Sequence, residues 1–123
     1  MNCIMVIDDS PTIRTCVEYN VKQLGYPVRQ AENGTDALAK IREIKNSGDD
    51  VAICVVDVNM PEMDGITFVR EFRKIDRFAP VLILTTESGK DRVDEGRAAG
   101  ASGWILKPFQ PDALLDAITK LIH

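Results

Sequence analysis

The sequence holds a single histidine, a single tryptophan, and three cysteines with no Cys-x-x-Cys spacing among them. The histidine, His123, is a chain end and is read as neither ligand nor catalyst. An odd number of cysteines without paired spacing favours reduced thiols over disulfides or metal ligands. Cys3 and Cys54 lie inside apolar runs and Cys16 on the apolar side of a helix, so all three are expected to be buried thiols of a cytoplasmic protein. Long apolar runs are missing as well. None exceeds seven residues, too short to span a bilayer or to form a signal peptide, so no membrane association is expected. Charge is not segregated either: the net charge is −4 with no long run of one sign, and nothing resembles a basic nucleic-acid patch. Linkers, repeats and low-complexity segments are absent. What remains is one domain over residues 1–123, with 45% hydrophobic and 28% charged residues and a core of useful size.

The stretch that organises the chain is Val51–Gly65. Val51-Ala52-Ile53-Cys54-Val55-Val56 runs straight into Asp57, and the turn formers Asn46-Ser47-Gly48-Asp49-Asp50 precede it. A short apolar run without polar alternation suits a strand covered on both faces, as in a parallel sheet between helix layers. Asp57 then sits at the carboxyl end of a central strand, the edge where open α/β sheets hold ligands. Taken alone it reads equally as a turn residue.

The rest of the chain supplies four more strands. Cys3–Ile7 is a buried strand that ends in Asp8-Asp9, after which Ser10 is a ready N-cap and Pro11 fits the first helical position. Ile13, Cys16, Val17, Val21 and Leu24 keep one helical face apolar, and Gly25 provides the stop. Val28–Ala31 is a weakly apolar strand near a sheet edge. Asn33-Gly34 opens a second helix with Ala37, Leu38, Ile41 and Ile44 inward, and Gly65–Ile75 is a third with Phe68, Val69, Phe72 and Ile75 inward. Val81–Leu84 is a strand that delivers Thr85-Thr86-Glu87. Ser88-x-x-Asp91 has the capping-box pattern for a fourth helix, whose apolar face is thin. Gly96 in its interior costs about 1 kcal/mol relative to alanine, so this helix is expected to be the least firmly held. Gly103–Leu106 is the fifth strand, ending at Lys107-Pro108. Pro111 begins the last helix, with Leu114, Leu115, Ile118 and Leu121 inward and Phe109 stapled against Leu114. Strand and helix alternating five times predict an α/β fold with a doubly wound parallel sheet.

In such a sheet the strand ends share one edge, so Asp8, Asp9, Asp57, Thr85 and Lys107 can converge. Crowded carboxylates repel, and a hard divalent cation relieves that repulsion. Mg²⁺ prefers oxygen ligands and commonly binds one or two carboxylates plus a phosphate. A carboxylate can also act as nucleophile and form an acyl phosphate. The set therefore reads as a site for placing a phosphoryl group on Asp57, with metal, the Lys107 ammonium and the Thr85 hydroxyl on the transferring oxygens.

Asp8-Asp9, Asp57-x-x-Met60-Pro61-x-Met63-Asp64-Gly65, Thr85 and Lys107-Pro108-Phe109 together resemble the signature of response-regulator receiver domains, in order along the whole chain. The resemblance implies a flavodoxin-like (βα)5 fold of strand order 2-1-3-4-5. It also implies that Asp57 accepts phosphate from a histidine kinase. Asp9 would hold Mg²⁺ directly, Asp8 directly or through water, and the backbone carbonyl of Asn59 would complete the protein ligands with Asp57. Lys107 and Thr85 would contact the phosphoryl oxygens, and the Lys107–Pro108 bond would be cis. Because the sequence ends at His123 with no effector domain, it is most similar to stand-alone chemotaxis regulators, with Thr85-Thr86-Glu87-Ser88 and Ala99–Trp104 fitting that subgroup. The implied protein is a monomeric cytoplasmic switch, not an enzyme on outside substrates. Its output face would be the helix after Ser88, the fifth strand and the last helix, and its target a flagellar-motor or other motility or signalling protein.

Two positions depart from the familiar pattern. The switch aromatic paired with Thr85 is Trp104 instead of tyrosine or phenylalanine, which puts a simple inward rotation in question. Thr86 replaces a smaller residue and should crowd access to the phosphoryl group. Asn59, Thr86 and Glu87 would tune hydrolysis by resemblance; Asn59 and Glu87 also read as solvated loop polars. Asp64 and Gly65 read as a helix start. The competing readings are an aspartyl-phosphate phosphatase and a flavodoxin-like redox carrier. Asn59 stands where such a phosphatase needs its second acid, and Asp8-Asp9 would repel a flavin phosphate.

Overall fold

The computed structural model describes residues 2–122. Five strands alternate with five helices: β1 (Asn2–Ile7), α1 (Pro11–Val21), β2 (Val28–Ala31), α2 (Gly34–Asn46), β3 (Asp50–Val56), α3 (Gly65–Ile75), β4 (Val81–Thr85), α4 (Lys90–Ala99), β5 (Gly103–Leu106) and α5 (Pro111–Ile122). All pairings are parallel and the order is β2-β1-β3-β4-β5, the flavodoxin-like order the resemblance implied. The unbroken apolar run does lie at the centre, with Val51 to Val56 buried throughout, and Val28–Ala31 does form an edge.

Alternating strand residues feed two separate cores, which is why the inner strands β1, β3 and β4 read as nearly continuously apolar. On one face Met5, Ile7, Cys54, Val56 and Ile83 pack with Ile41 of α2 and Phe68 and Phe72 of α3. On the other, Ile4, Val6, Ile53, Val55 and Leu84 pack with Val17 and Val21 of α1 and Leu114 and Ile118 of α5, with Phe109 against the same cluster. Helix starts follow the sequence. Ser10, Asn33 and Asp64 each accept an N–H from the first turn, donated by Ile13, Asp36 and Thr67. After α1 the chain makes a 3-10 turn over Lys22–Leu24 and leaves through Gly25 at φ +86°, a left-handed conformation that suits glycine.

Two expectations fail. Cys16 is exposed, because the buried stripe of α1 narrows to Val17 and Val21 and a 100° step places Cys16 beyond its edge. Ser88 does not cap α4: the helix starts one residue later, with Gly89 at the N-cap and no side-chain cap bond. Asp91 remains in the first turn, where it still complements the helix dipole.

Gly96 has a packing reason that the sequence did not disclose. It is buried, and a Cβ there would lie 2.7 Å from Cζ3 of Trp104 and 3.3 Å from Cδ1 of Ile83. Trp104 stands beside Ile83 in the β4–β5 register, so its indole reaches α4 across the face shared with Ile83. The helix with the poorest apolar face is thus seated on a tryptophan ring. Its far end is tied by Arg73, whose Nε and Nη2 donate to the Gly100 carbonyl at 3.2 and 2.8 Å.

Candidate functional site

Asp8, Asp57 and Lys107 each lie one step past a strand end and Thr85 lies at one, and the ladder runs on far enough to align them. The Asp57 N–H donates to the Ile7 carbonyl at 3.0 Å, and the Asp8 N–H donates to the Ala31 carbonyl at 3.1 Å. Lys107 N–H donates to the Thr85 carbonyl at 2.9 Å. Parallel register therefore places Asp8 beside Asp57, at the point where the chain order reverses across β1 and β3, and Lys107 just past Leu106, the register partner of Thr85.

The side chains converge. One carboxylate oxygen each from Asp8, Asp9 and Asp57 lie within 4.8 Å of one another. Asp8 is 4% and Asp57 7% exposed, whereas Asp9 is open to solvent. Lys107 Nζ sits 2.8 Å from Asp8 Oδ2 and 3.4 Å from Asp57 Oδ2, so one ammonium spans the two buried carboxylates. Asp8 Oδ1 accepts the Ser10 N–H at 2.9 Å, and Asp57 Oδ1 accepts the Asn59 N–H at 3.4 Å. The donors here are carboxylate oxygens without sulfur or imidazole, a set that suits a hard cation such as Mg²⁺ and disfavours softer metals.

Thr85 is fully buried at the end of β4, and its Oγ1 accepts the Glu87 N–H at 3.3 Å. The carbonyl of the same Glu87 accepts the indole Nε1–H of Trp104 at 2.9 Å. Thr85 and Trp104 thus grip opposite ends of one residue. Trp104 is half-buried, with its ring already seated against Gly96. Thr86 and the Asn59 side chain are exposed, and Glu87 is half-buried. The Lys107–Pro108 peptide is cis. His123 lies outside the described residues.

Two supporting residues, Arg14 and Glu62, were not singled out from the sequence, and a third, Gly65, was read only as part of the motif and as a helix start. Arg14 Nη1 donates to the Asp8 carbonyl at 2.6 Å, so Lys107 is not the only cation at the cluster. Its Nε donates to Gln30 of β2, sixteen residues away, and no local pattern signals such a contact. Gly65 starts α3, but it also lets the helix close on the site: a Cβ would collide with the Asp57 backbone carbonyl. Glu62 adopts φ +70° and accepts Asn33 Nδ2 at 3.2 Å, which latches the loop after Asp57 onto the start of α2. A concavity of about 530 Å³ opens elsewhere and is lined by Asn2, Lys45, Asp76 and Phe78 among others, sharing no residue with the acid cluster.

The chain is similar to known proteins over nearly its whole length. The family of response regulator receiver domains matches residues 4–119. Chemotaxis protein CheY1 of Helicobacter pylori is 36% identical, covering 97% of this chain and 95% of its own. Among solved structures, chemotaxis protein CheY4 of Vibrio cholerae has a TM-score of 0.88 at 37% identity, over 98% of both chains. Response regulator TrrA of Thermotoga maritima, solved in complex with Mg²⁺ and BeF, has a TM-score of 0.82 at 31% identity, over 98% of this chain and 99% of its own. A CheY-like sheet, with acids at its carboxyl edge and a family match across nearly all of its length, makes this chain a member of the response regulator receiver domain family.

Proposed function

We propose that the protein is a stand-alone phosphoryl-operated switch of the chemotaxis type, with Asp57 as the phosphoacceptor. The observation that carries this reading is the placement of Lys107 across Asp8 and Asp57, beside a third acid, within one small cluster of oxygens. Asp57 attacks the phosphorus of a phosphohistidine on a histidine kinase. An O–P bond forms on its carboxylate, the N–P bond breaks, and the imidazole leaves with the electron pair. Asp8, Asp9, Asp57 and the backbone carbonyl of Asn59 would hold Mg²⁺, which when bound supplies positive charge to the transferring oxygens. Lys107 contributes a second positive charge on those oxygens, and Thr85 donates its hydroxyl to them.

The output follows from the grip on Glu87. A Thr85 hydroxyl that turns toward the phosphoryl group withdraws its acceptor from the Glu87 N–H. Glu87 then shifts against Trp104, and with it the face formed by α4, β5 and α5. A target protein of motility or another signalling process reads that face, and the switch acts as a monomer in the cytoplasm. Asn59, Thr86 and Glu87 flank the phosphoryl group and set how readily water reaches it. The similarity to chemotaxis proteins supports this placement. So does the solved relative that binds Mg²⁺ and BeF. Among the described residues no helix is long and apolar enough to cross a membrane.

Tryptophan emission tests the reading, since Trp104 is the only tryptophan. Beryllium fluoride with Mg²⁺ should change the emission saturably, either alone should not reproduce it, and Asp57→Asn should abolish it. Unchanged emission while calorimetry shows the mimic bound would contradict the route through Glu87 and Trp104.

A further inference from the structure

Within the acid cluster, the three carboxylates are not held equally. Asp8 is fixed through both side-chain oxygens, by Ser10 N–H and by Lys107. Asp57 is fixed by Asn59 N–H and Lys107. Asp9 is exposed and its carboxylate has neither a hydrogen bond nor an ion pair among the described residues. Its position depends on the backbone alone, and above all on the plane of the Asp8–Asp9 peptide.

That peptide is where Arg14 acts. Its Nη1 donates to the Asp8 carbonyl at 2.6 Å, and its Nε is held by Gln30 Oε1 at 3.0 Å. Gln30 is itself fixed: its Nε2 donates to Glu18 Oε1 at 2.8 Å, and its backbone carbonyl accepts Lys40 Nζ at 2.7 Å. A guanidinium anchored to β2, with a stem on α1, therefore sets the orientation of the turn from which Asp9 projects. We infer that Arg14 is a positioning residue for the metal site, holding the Asp8–Asp9 peptide so that the otherwise unsupported Asp9 carboxylate faces Asp57. The inference rests on the proposed Mg²⁺ site and adds a residue to its support. Groups that hydrogen-bond a metal's ligands commonly change affinity by about 10–100-fold when lost, and Arg14, which holds the peptide that carries a ligand, is expected at the lower end of that range.

The sign of the effect separates positioning from charge. Arg14 is a cation close to a site for a dication. If it acted only through its charge, removing it would tighten Mg²⁺ binding by relieving repulsion. If it positions Asp9, removing it weakens binding. The test is calorimetric titration with MgCl₂ alone, at constant ionic strength, of the parent, Arg14→Met and Arg14→Lys. Methionine keeps much of the aliphatic stem and removes every donor. The dissociation constant should rise about tenfold or more in Arg14→Met, with Arg14→Lys between it and the parent. Thermal unfolding in EDTA reports any purely structural loss. An Arg14→Met protein that melts lower but binds Mg²⁺ as the parent does, or more tightly, overturns the inference. If Arg14→Met does not fold, Gln30→Ala carries the test. It keeps the charge and frees Nε, so weaker Mg²⁺ binding is expected and unchanged binding overturns the inference. A parent that binds no Mg²⁺ is a different result, which removes the metal site itself and the inference with it.

Discussion

Gly96→Ala should destabilise the protein although it improves a helix. Two effects oppose each other at this position. Alanine in a helix interior is favoured over glycine by about 1 kcal/mol. The new Cβ, however, would lie 2.7 Å from Cζ3 and 3.4 Å from Cε3 of Trp104, well inside van der Waals contact. Overpacking of this kind costs roughly 1–3 kcal/mol. The ring cannot retreat freely, because moving it stretches the 2.9 Å bond from Nε1 to the Glu87 carbonyl, itself worth about 1 kcal/mol. The net expectation is a loss of about 1 kcal/mol, or roughly 3–6 °C in melting temperature for a domain of this size. The partner variant fixes the interpretation. In a Trp104→Phe background the outer indole ring is gone, so Gly96→Ala should become stabilising, by about 0.5–1 kcal/mol. Urea denaturation of the four proteins, followed by far-ultraviolet circular dichroism, closes the double-mutant cycle. Gly96→Ala that stabilises the parent as much as it stabilises Trp104→Phe would refute the reasoning, since the indole would not occupy that space.

Glu62 holds a left-handed backbone at φ +70°, which costs a residue other than glycine about 1 kcal/mol and asparagine less; Glu62→Asn should therefore raise stability by about 0.5 kcal/mol, measured by thermal unfolding, and a loss would show that the Asn33 contact outweighs the strain. Lys45 Nζ lies 2.8 Å from both Asp50 and Asp76. Burial disfavours the Lys45 charge, but hydrogen bonds to the two carboxylates outweigh it and hold the ammonium above its usual range. The Lys45 bond lowers Asp50, as does Val51 N–H. Burial raises Asp76, but Lys45 and two backbone N–H groups outweigh it and leave it lowered. The carboxylate contributions are present above the ordinary carboxylate range and vanish as pH falls through the depressed folded values. The lysine contribution is complete below its ordinary value and vanishes as pH rises past the raised folded one. Lys45→Met should thus cost about 1 kcal/mol near neutral pH, a modest figure because Asp50 is half-exposed. The gap from the parent should close as pH falls from 5 toward 2; a gap that stays constant would mean that Lys45 matters through packing alone.

How much of this was legible depends on the range of the interaction. The strands and the two-sided sheet were legible because every strand from Cys3 to Ile7 and from Val51 to Val56 carries its burial in its own residues. The acid cluster was legible for the same reason: Asp8, Asp57 and Lys107 each end an apolar run, and a parallel sheet brings such ends to one edge. Helix starts at Ser10, Asn33 and Asp64 needed only a capping residue and the turn after it. Failures begin where a contact joins elements. Arg14 carries no local signal of its role, because Gln30 lies on β2, sixteen residues away. Gly96 looked like a defect in α4, because the ring that needs its missing Cβ comes from β5. Ser88 matched a cap pattern, yet the helix starts after Gly89, where the chain leaving Glu87 is already held by Thr85 and Trp104. Cys16 was placed on the apolar side by a stripe drawn one position too wide.

The central claim is that Asp57 is the residue that takes the phosphoryl group, within a site completed by Mg²⁺. Intact-mass measurement after exposure to a small-molecule phosphodonor tests this most directly. The account predicts a gain of one phosphoryl group with Mg²⁺, little gain in EDTA, and none in Asp57→Asn. No gain in the parent, or a gain of the same size in Asp57→Asn, would contradict it.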